Sequence, residues 1–378
     1  MEMNKLKLAT HKCGKIHIGK ESSECPTLKV HEEVMKDSDS EKYLGDIISN
    51  KGTLDMTIKD RKLKGYSYIS EIRALLSDMP FGHRRIEVGL MLRDAMFVNG
   101  ILTNSEAWHS ISKKNIEDLE VMDRSLLRYI TGAHAKTQNE FLYLETGALN
   151  IEQTIANRRM MYLQTLLKRP ENEITKKVYK SQKKNPVKGD WVDMVKKDFA
   201  NIEMEMIEEA IQSESKLVYK NRVKKHIRMY MLSELKKKQE GHNKISNICY
   251  NDLKTQEYLK THMLNNHEVF LLFSLRSRNA KQFKANFPYN IDQICPMQGC
   301  YEVDTQERCL VCEKNILTSN TIKYEGIFSD TIEKQVAVTK LFASLLERRE
   351  DASAYTAGPM CCPVSLEDGG CSDACLSI

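Results

Sequence analysis

The chain has 378 residues, with 57 Lys and Arg against 52 Asp and Glu for a formal net charge of +5, and is 41% hydrophobic and 29% charged. That length accommodates two or three domains, with real apolar cores inside a very polar exterior, while the lack of any run of about 18 apolar residues leaves no membrane-spanning helix to predict. "MEMNKLKLATHKCGK" lacks the apolar h-region of a secretory signal, and Cys13, Cys25 and Cys249 stand singly, so the expected setting is reducing and intracellular, nuclear or cytoplasmic, where close cysteine pairs point to metal before disulfide.

Residues 1–53 read as strand and turn. "KIHIG" alternates Ile16 and Ile18 with polar neighbours, "TLKV" does the same with Leu28 and Val30, and "KYLGDIIS" adds a β-rich run closed by the turn signal "NKG". These predict three short strands of a small antiparallel sheet, too little to be stable alone and so the edge of something larger. From Leu54 the period becomes helical. "ISKKNIEDLEVMDRSLLRYITGA" places Ile116, Leu119, Met122, Leu126 and Ile130 on one face, with Asn115 as a start cap and Gly132 as the stop. "IEQTIANRRMMYLQTLLKRP" repeats the pattern with Ile151, Ile155, Tyr162 and Leu166 before Pro170. A bundle of about four or five helices is expected over residues 54–170.

Residues 171–290 stay helical but wetter and more basic, with "NPVKGDW" as a loop and module boundary and "HEVFLLFSLRSRNAKQF" as a strongly apolar helix. Trp108 falls in an apolar run and reads as core; Trp191 follows a turn and reads as half exposed. Residues 317–350 contain an amphipathic helix, "IEKQVAVTKLFASLLERRE", with Val336, Leu341 and Leu345 on one side. Residues 351–378 are small-residue-rich and aperiodic, hence expected disordered.

Two features suggest chemistry. "KLVYKNRVKKHIRMYMLSELKKKQEGHNK" has only Glu234 and Glu240 opposing its cations. Within it Lys220, Arg222, Lys224, Lys225 and Arg228 lie near Tyr219 and Tyr230, a mix suited to phosphate contact and base stacking on RNA or DNA; a solvated helix face accounts for the same charges. "CPMQGCYEVDTQERCLVC" supplies Cys295 and Cys300 as a loose pair and Cys309 and Cys312 as a CxxC. Four thiolates suit a tetrahedral structural zinc, whereas the alternative is a degenerate knuckle packing its thiols as apolar groups. His109, His226 and His267 have no companion at metal spacing, and the sequence shows no Ser-His-Asp order, Gly-rich phosphate loop or HExxH.

In chain order, "KLATHKCGKIHIGK", "KYLGDIISNKG", "LRDAMFVNGILTNSEAWHSISKKNIEDLEVMDRSLLRYITG", "NEFLYLETGALNIEQTIANRRMMYLQTLLKR" and "LLFSLRSRNAKQFKANFPYNIDQICPMQGC" with "DTQERCLVC" resemble successive parts of the reverse transcriptases of non-LTR (LINE-type) retrotransposons. The resemblance implies a mainly α chain: a late-palm β remnant over 1–53, a thumb-like bundle over 54–170, a basic helical region over 171–290, a small Cys-rich zinc knuckle over 291–316, and a C-terminal helix over 317–350. It implies that Tyr43, Leu44 and Gly45 sit where relatives hold the primer end. Arg308 stands where the family has histidine ("TQER" for "TQEH"); arginine offers no lone pair to zinc, so Cys309 is the expected replacement. Such polymerases need paired palm carboxylates to bridge two metal ions. This sequence has no Asp-Asp pair and begins after the point where that motif would stand, so Lys12, which matches a lysine linked to proton transfer, has nothing to assist. The expectation is a non-catalytic nucleic-acid-binding fragment rather than an enzyme, with a helical protein-interaction scaffold as the alternative.

Overall fold

The computed structural model describes residues 14–18, 27–30, 33–283, 286, 293–297, 299–312 and 322–356. The fold is mainly α, as the sequence predicts. Among the described residues, no helix is long and apolar enough to cross a membrane. Lys12, Cys13, Cys25 and residues 357–378 lie outside the described residues.

The N-terminal strands do not join into one sheet. β1 (Gly14–Lys15) pairs in parallel with β4 (Lys36–Asp37), β2 (Lys29–Val30) pairs antiparallel with β3 (Glu33–Val34), and β5 (Ser40–Tyr43) pairs antiparallel with β6 (Asp46–Ser49). The run "KYLGDIIS" is therefore a hairpin rather than a single strand. Leu44 and Gly45 form its two-residue turn with φ of 48° and 95°, the positive-φ geometry that matches the twist of paired strands. Leucine is no turn signal, which is why the sequence hid it. The hairpin docks on α1 (Asp55–Leu76): the Ile47 N–H donates to Thr57 Oγ1 at 2.9 Å, and buried Arg61 reaches Asp46 at 2.8 Å.

Five α-helices then follow over residues 55–167, four of them supplying the bundle core, within the predicted number. They are α1, α2 (His83–Leu92, running on through a π-helical turn at Arg93–Val98 and a last turn at Asn99–Ile101), α3 (Lys113–Thr131), α4 (Asn139–Thr146) and α5 (Ile151–Leu167). The predicted face of α3 is inward, with Leu119, Met122, Leu126 and Ile130 buried and Ile116, in the first turn, half-buried. Its cap is Ser112, whose hydroxyl accepts the Asn115 N–H at 3.1 Å; Asn115 is instead in the first turn, donating to Asp55 at 2.8 Å. Gly132, at φ 67°, ends it as expected. Trp108 is core, 2% exposed.

α6 (Ile174–Lys184), α7 (Trp191–Asn201), α8 (Glu208–Ser213) and α9 (Lys216–Glu240) follow. α5 serves two cores: Ile151 and Ile155 join the bundle, while Met160, Leu163 and Leu166 pack with Val195, Phe199, Tyr219 and Val223. Trp191 belongs to this second core and is buried rather than half exposed, because its indole N–H finds the Glu106 carbonyl at 2.7 Å. A third core joins α4, the end of α9, the 245–264 segment, α10 (Asn266–Arg276) and α12 (Ile332–Thr356). α12 buries Val338, Phe342, Leu345 and Leu346, leaving Val336 and Leu341 half-buried at its edge. Its backbone stays helical to Thr356, so 351–356 are not the disordered start of a tail.

Candidate metal centre and basic groove

The cysteine segment is shaped by backbone hydrogen bonds before any side chain acts. Ile294 bridges antiparallel to Val303, the Cys295 N–H donates to Glu302 O at 2.8 Å, and the Asp304 N–H donates to Gln293 O at 2.7 Å. The intervening loop turns at Gly299 (φ 75°), where the Cys300 N–H reaches Met297 O at 3.0 Å. Thr305 then caps the single turn α11 (Gln306–Cys309), accepting the Arg308 N–H at 3.1 Å.

This path brings three of the four predicted ligands together. The Sγ atoms of Cys295, Cys300 and Cys312 all lie within 4.8 Å of one another, and Cys300 and Cys312 are 3.8 Å apart. Zinc–sulfur bonds of about 2.3 Å at tetrahedral angles put neighbouring sulfurs about 3.8 Å apart, so the thiols already stand near ligand spacing. Burial pushes the Cys295 thiol up to about 12, and the Met297 N–H acts against that shift. The Glu302 N–H lowers Cys300 most, with the Arg308 charge also acting downward. Amide donors aimed at sulfur favour thiolates, the form a metal takes. The three thiols can hold a metal ion.

Cys309 is not among them. It is 4% exposed and faces the core, where burial raises its thiol and Arg349 opposes the rise. Arg349 also pairs with buried Asp304 and stacks 5.1 Å over Phe283. The reason is rotation: α11 turns about 100° per residue, so neighbours 308 and 309 cannot face the same way. Arg308 lies on the thiol side, 41% exposed, its guanidinium 3.1 Å from Glu302. Among the described residues no other His, Cys, Asp or Glu completes the group.

The five basic residues of α9 also divide. Lys220, Lys224 and Lys225 are exposed. Arg222 pairs with Glu214 at 3.0 Å and lies 5.5 Å over Tyr219. Arg228 donates to the carbonyls of Leu253 and Gly147, and burial lowers its pKa. Tyr219 is fully buried with its hydroxyl on Met160 O at 3.1 Å, so it is core and cannot stack on a base; Tyr230 is half-buried. Lys224, Lys225 and Arg228 line a groove of about 490 Å³ whose far side is Asp252, Leu253 and Lys254. Lys254 escaped sequence reasoning because it lies outside the basic run.

Tyr43 and Leu44 are at the tip of the β5–β6 hairpin, 64% and 77% exposed. Gly45 is half-buried beside Arg61, and the Leu44 carbonyl accepts from Asn104 at 2.8 Å. A feature unannounced by the sequence is an apolar groove of about 450 Å³ walled by Tyr162, Tyr179, Trp191, Ile174 and Val178. Exposed Ile174 and Val178, four residues apart on α6, are its only sequence trace.

No protein-family model matches this chain, no curated protein matches its sequence, and no solved structure matches its fold.

Proposed function

We propose that this chain is a non-catalytic, nucleic-acid-binding part of a non-LTR retrotransposon reverse transcriptase, with a zinc ion clasped by Cys295, Cys300 and Cys312. One observation carries the binding role. Several exposed lysines are neutralised by carboxylates, Lys180 by Glu171, Lys183 by Glu208, Lys197 by Asp193 and Lys237 by Glu234, while others such as Lys177, Lys184 and Lys188 make no ion pair among the described residues. Lys220, Lys224 and Lys225 make no ion pair among the described residues, and Lys224 and Lys225 edge the α9 groove, whose far side holds Lys254 paired with Asp252 at 3.2 Å. Unneutralised cations in a row are what a phosphate backbone exchanges its counterions for. The ancestry rests on the ordered resemblance of sequence segments, and the lack of polymerase activity on the missing Asp-Asp pair.

The test is fluorescence anisotropy with labelled single-stranded RNA and DNA across a salt series. Affinity falls as salt rises, and K220Q/K224Q/K225Q flattens the slope of log K against log salt by about 0.7 for each phosphate that the variant no longer neutralises on a single strand. No binding at low salt, or an unchanged slope, overturns the proposal. The competing scaffold reading is favoured by the apolar groove at Trp191, and it predicts that the triple variant binds RNA no differently from the wild type.

A further inference from the structure

We infer that the polar cavity between residues 249–257 and the start of α12 binds a short alkyl diamine as its dication. This site is separate from both the cysteine centre and the α9 lysines, and neither of those readings is needed for it.

The first support is a buried acceptor with nothing to accept. The cavity has a volume of about 140 Å³, and Gln335, 7% exposed, forms part of its wall. The Gln335 Nε2 donates to Ser329 O at 2.6 Å. That bond fixes which way the amide points, because the reverse orientation would set two carbonyl oxygens against each other. Oε1 is therefore the free end, and it is buried with no donor among the described residues. Of the polar side chains lining the cavity it is the one left with an unmatched buried atom. Such a group is costly to leave unmade, so a ligand that donates here gains what the fold has forgone.

The second support is charge. Of the charged side chains that line the cavity, Arg276 is matched by Glu145 at 2.8 Å and Lys254 by Asp252 at 3.2 Å. Glu257 and Asp330, both exposed and so at the mouth, make no ion pair among the described residues. Two carboxylates are left for a ligand to meet, and an anion would only add to them. A compact divalent ion is a poor match, because it needs six or more oxygens about one point, and no three carboxylates converge at that spacing among the described residues. A diammonium ion brings two charges for two carboxylates, and each head carries three N–H donors, one of which suits Gln335 Oε1. The third support is the remaining lining. Phe328 and Ile332 are half-buried against the same space. They offer the methylene stem an apolar bed, and the Phe328 ring face also attracts an ammonium.

Isothermal titration of the full chain at low salt with 1,4-diaminobutane tests this. One molecule should bind per chain, saturably. The doubly charged bis(trimethylammonium) analogue has no N–H to give and should bind at least about tenfold more weakly. Glu257→Gln with Asp330→Asn changes only exposed side chains, so the variant folds, and it should lose about tenfold or more in diamine affinity. Gln335→Met, with its fold checked by circular dichroism, should no longer distinguish the diamine from its methylated analogue. Absent or non-stoichiometric binding by the wild type overturns the inference. So does unchanged affinity in the Glu257→Gln/Asp330→Asn variant, equal binding of the two ligands by the wild type, or displacement of the diamine by an equal concentration of magnesium.

Discussion

Arg276→Met should destabilise the protein by about 3–5 kcal/mol, the usual loss when one partner of a buried ion pair is removed. Glu145, on α4, is completely buried, and four donors converge on its carboxylate. Arg276 gives Nε at 3.0 Å and Nη2 at 2.8 Å to Oε1, Tyr250 gives its hydroxyl to Oε1 at 2.5 Å, and Tyr258 gives its hydroxyl to Oε2 at 2.5 Å. Arg276 spends its remaining nitrogen on Ile327 O at 2.6 Å. The substitution leaves a carboxylate buried with only two neutral donors, and it orphans the Ile327 carbonyl. Against a typical total stability of about 5–15 kcal/mol, such a loss brings the third core close to unfolding. Urea denaturation followed by circular dichroism measures it, with a midpoint shift at unchanged slope. Glu145→Leu combined with Arg276→Met removes both charges and should recover part of the loss, the part due to the stranded charge, while the Tyr250 and Tyr258 hydroxyls and the Ile327 carbonyl stay unpaired. Strict additivity of the two single variants, or a loss under about 1 kcal/mol for Arg276→Met, refutes the reasoning.

Two further outcomes test separate parts of the structure. Burial raises Glu120 to about 7, against the attraction of Arg124. Its folded pKa lies above its unfolded value near 4.5, so its protonated form favours folding, and stability falls as pH rises from about 4.5 through 7. Glu120→Gln should abolish that slope and add about 2–3 kcal/mol above pH 7, read as urea midpoints at pH 5 and pH 8; a variant with unchanged pH dependence refutes the assignment. At the cysteine centre, elemental analysis should find one zinc per wild-type chain, lost in Cys312→Ser and kept in Cys309→Ser. Loss of zinc in both would return Cys309 to the ligand set.

What the sequence made legible is what periodicity alone decides. Leu119, Met122, Leu126 and Ile130 recur at helical spacing, and every one is buried in the structure; Gly132 ends that helix because it alone accepts φ 67° there without penalty. Choices between near-equivalent neighbours were not legible. Ser112 and Asn115 are both good caps three residues apart, and only one can be first. In α12 apolar residues occupy several phases of "VAVTKLFASLL", so the pattern permitted Val336 where packing chose Val338. Distant partners were invisible too: Arg228 is captured by carbonyls 25 and 81 residues away, which turns a phosphate-contact candidate into a structural brace.

The cysteine centre shows why the local motif was insufficient. Spacing marked Cys309 and Cys312 as one CxxC unit, yet the two sulfurs face different surroundings. The deciding group is Arg349, far along the chain on α12. It is 4% exposed, pairs with Asp304 just ahead of α11, and lies with Cys309 on the same inner side. A buried guanidinium stripped of its carboxylate is costly, so the pair with Asp304 fixes the rotation of α11 and keeps Cys309 on the inner side. Gln306 strengthens the anchor from the adjoining position, donating to Leu275 O at 3.0 Å and to the Tyr324 hydroxyl at 2.7 Å. α11 is thus oriented from its inner side by α10, α12 and the Tyr324 turn. The outer side, with Cys312, Arg308 and the Cys295–Cys300 loop, takes whatever facing that orientation leaves. The three-thiol cluster is built on a hydrophobic and ionic anchor, so treatment with a chelator should leave Cys309 protected from alkylation even where the 295–300 loop loosens.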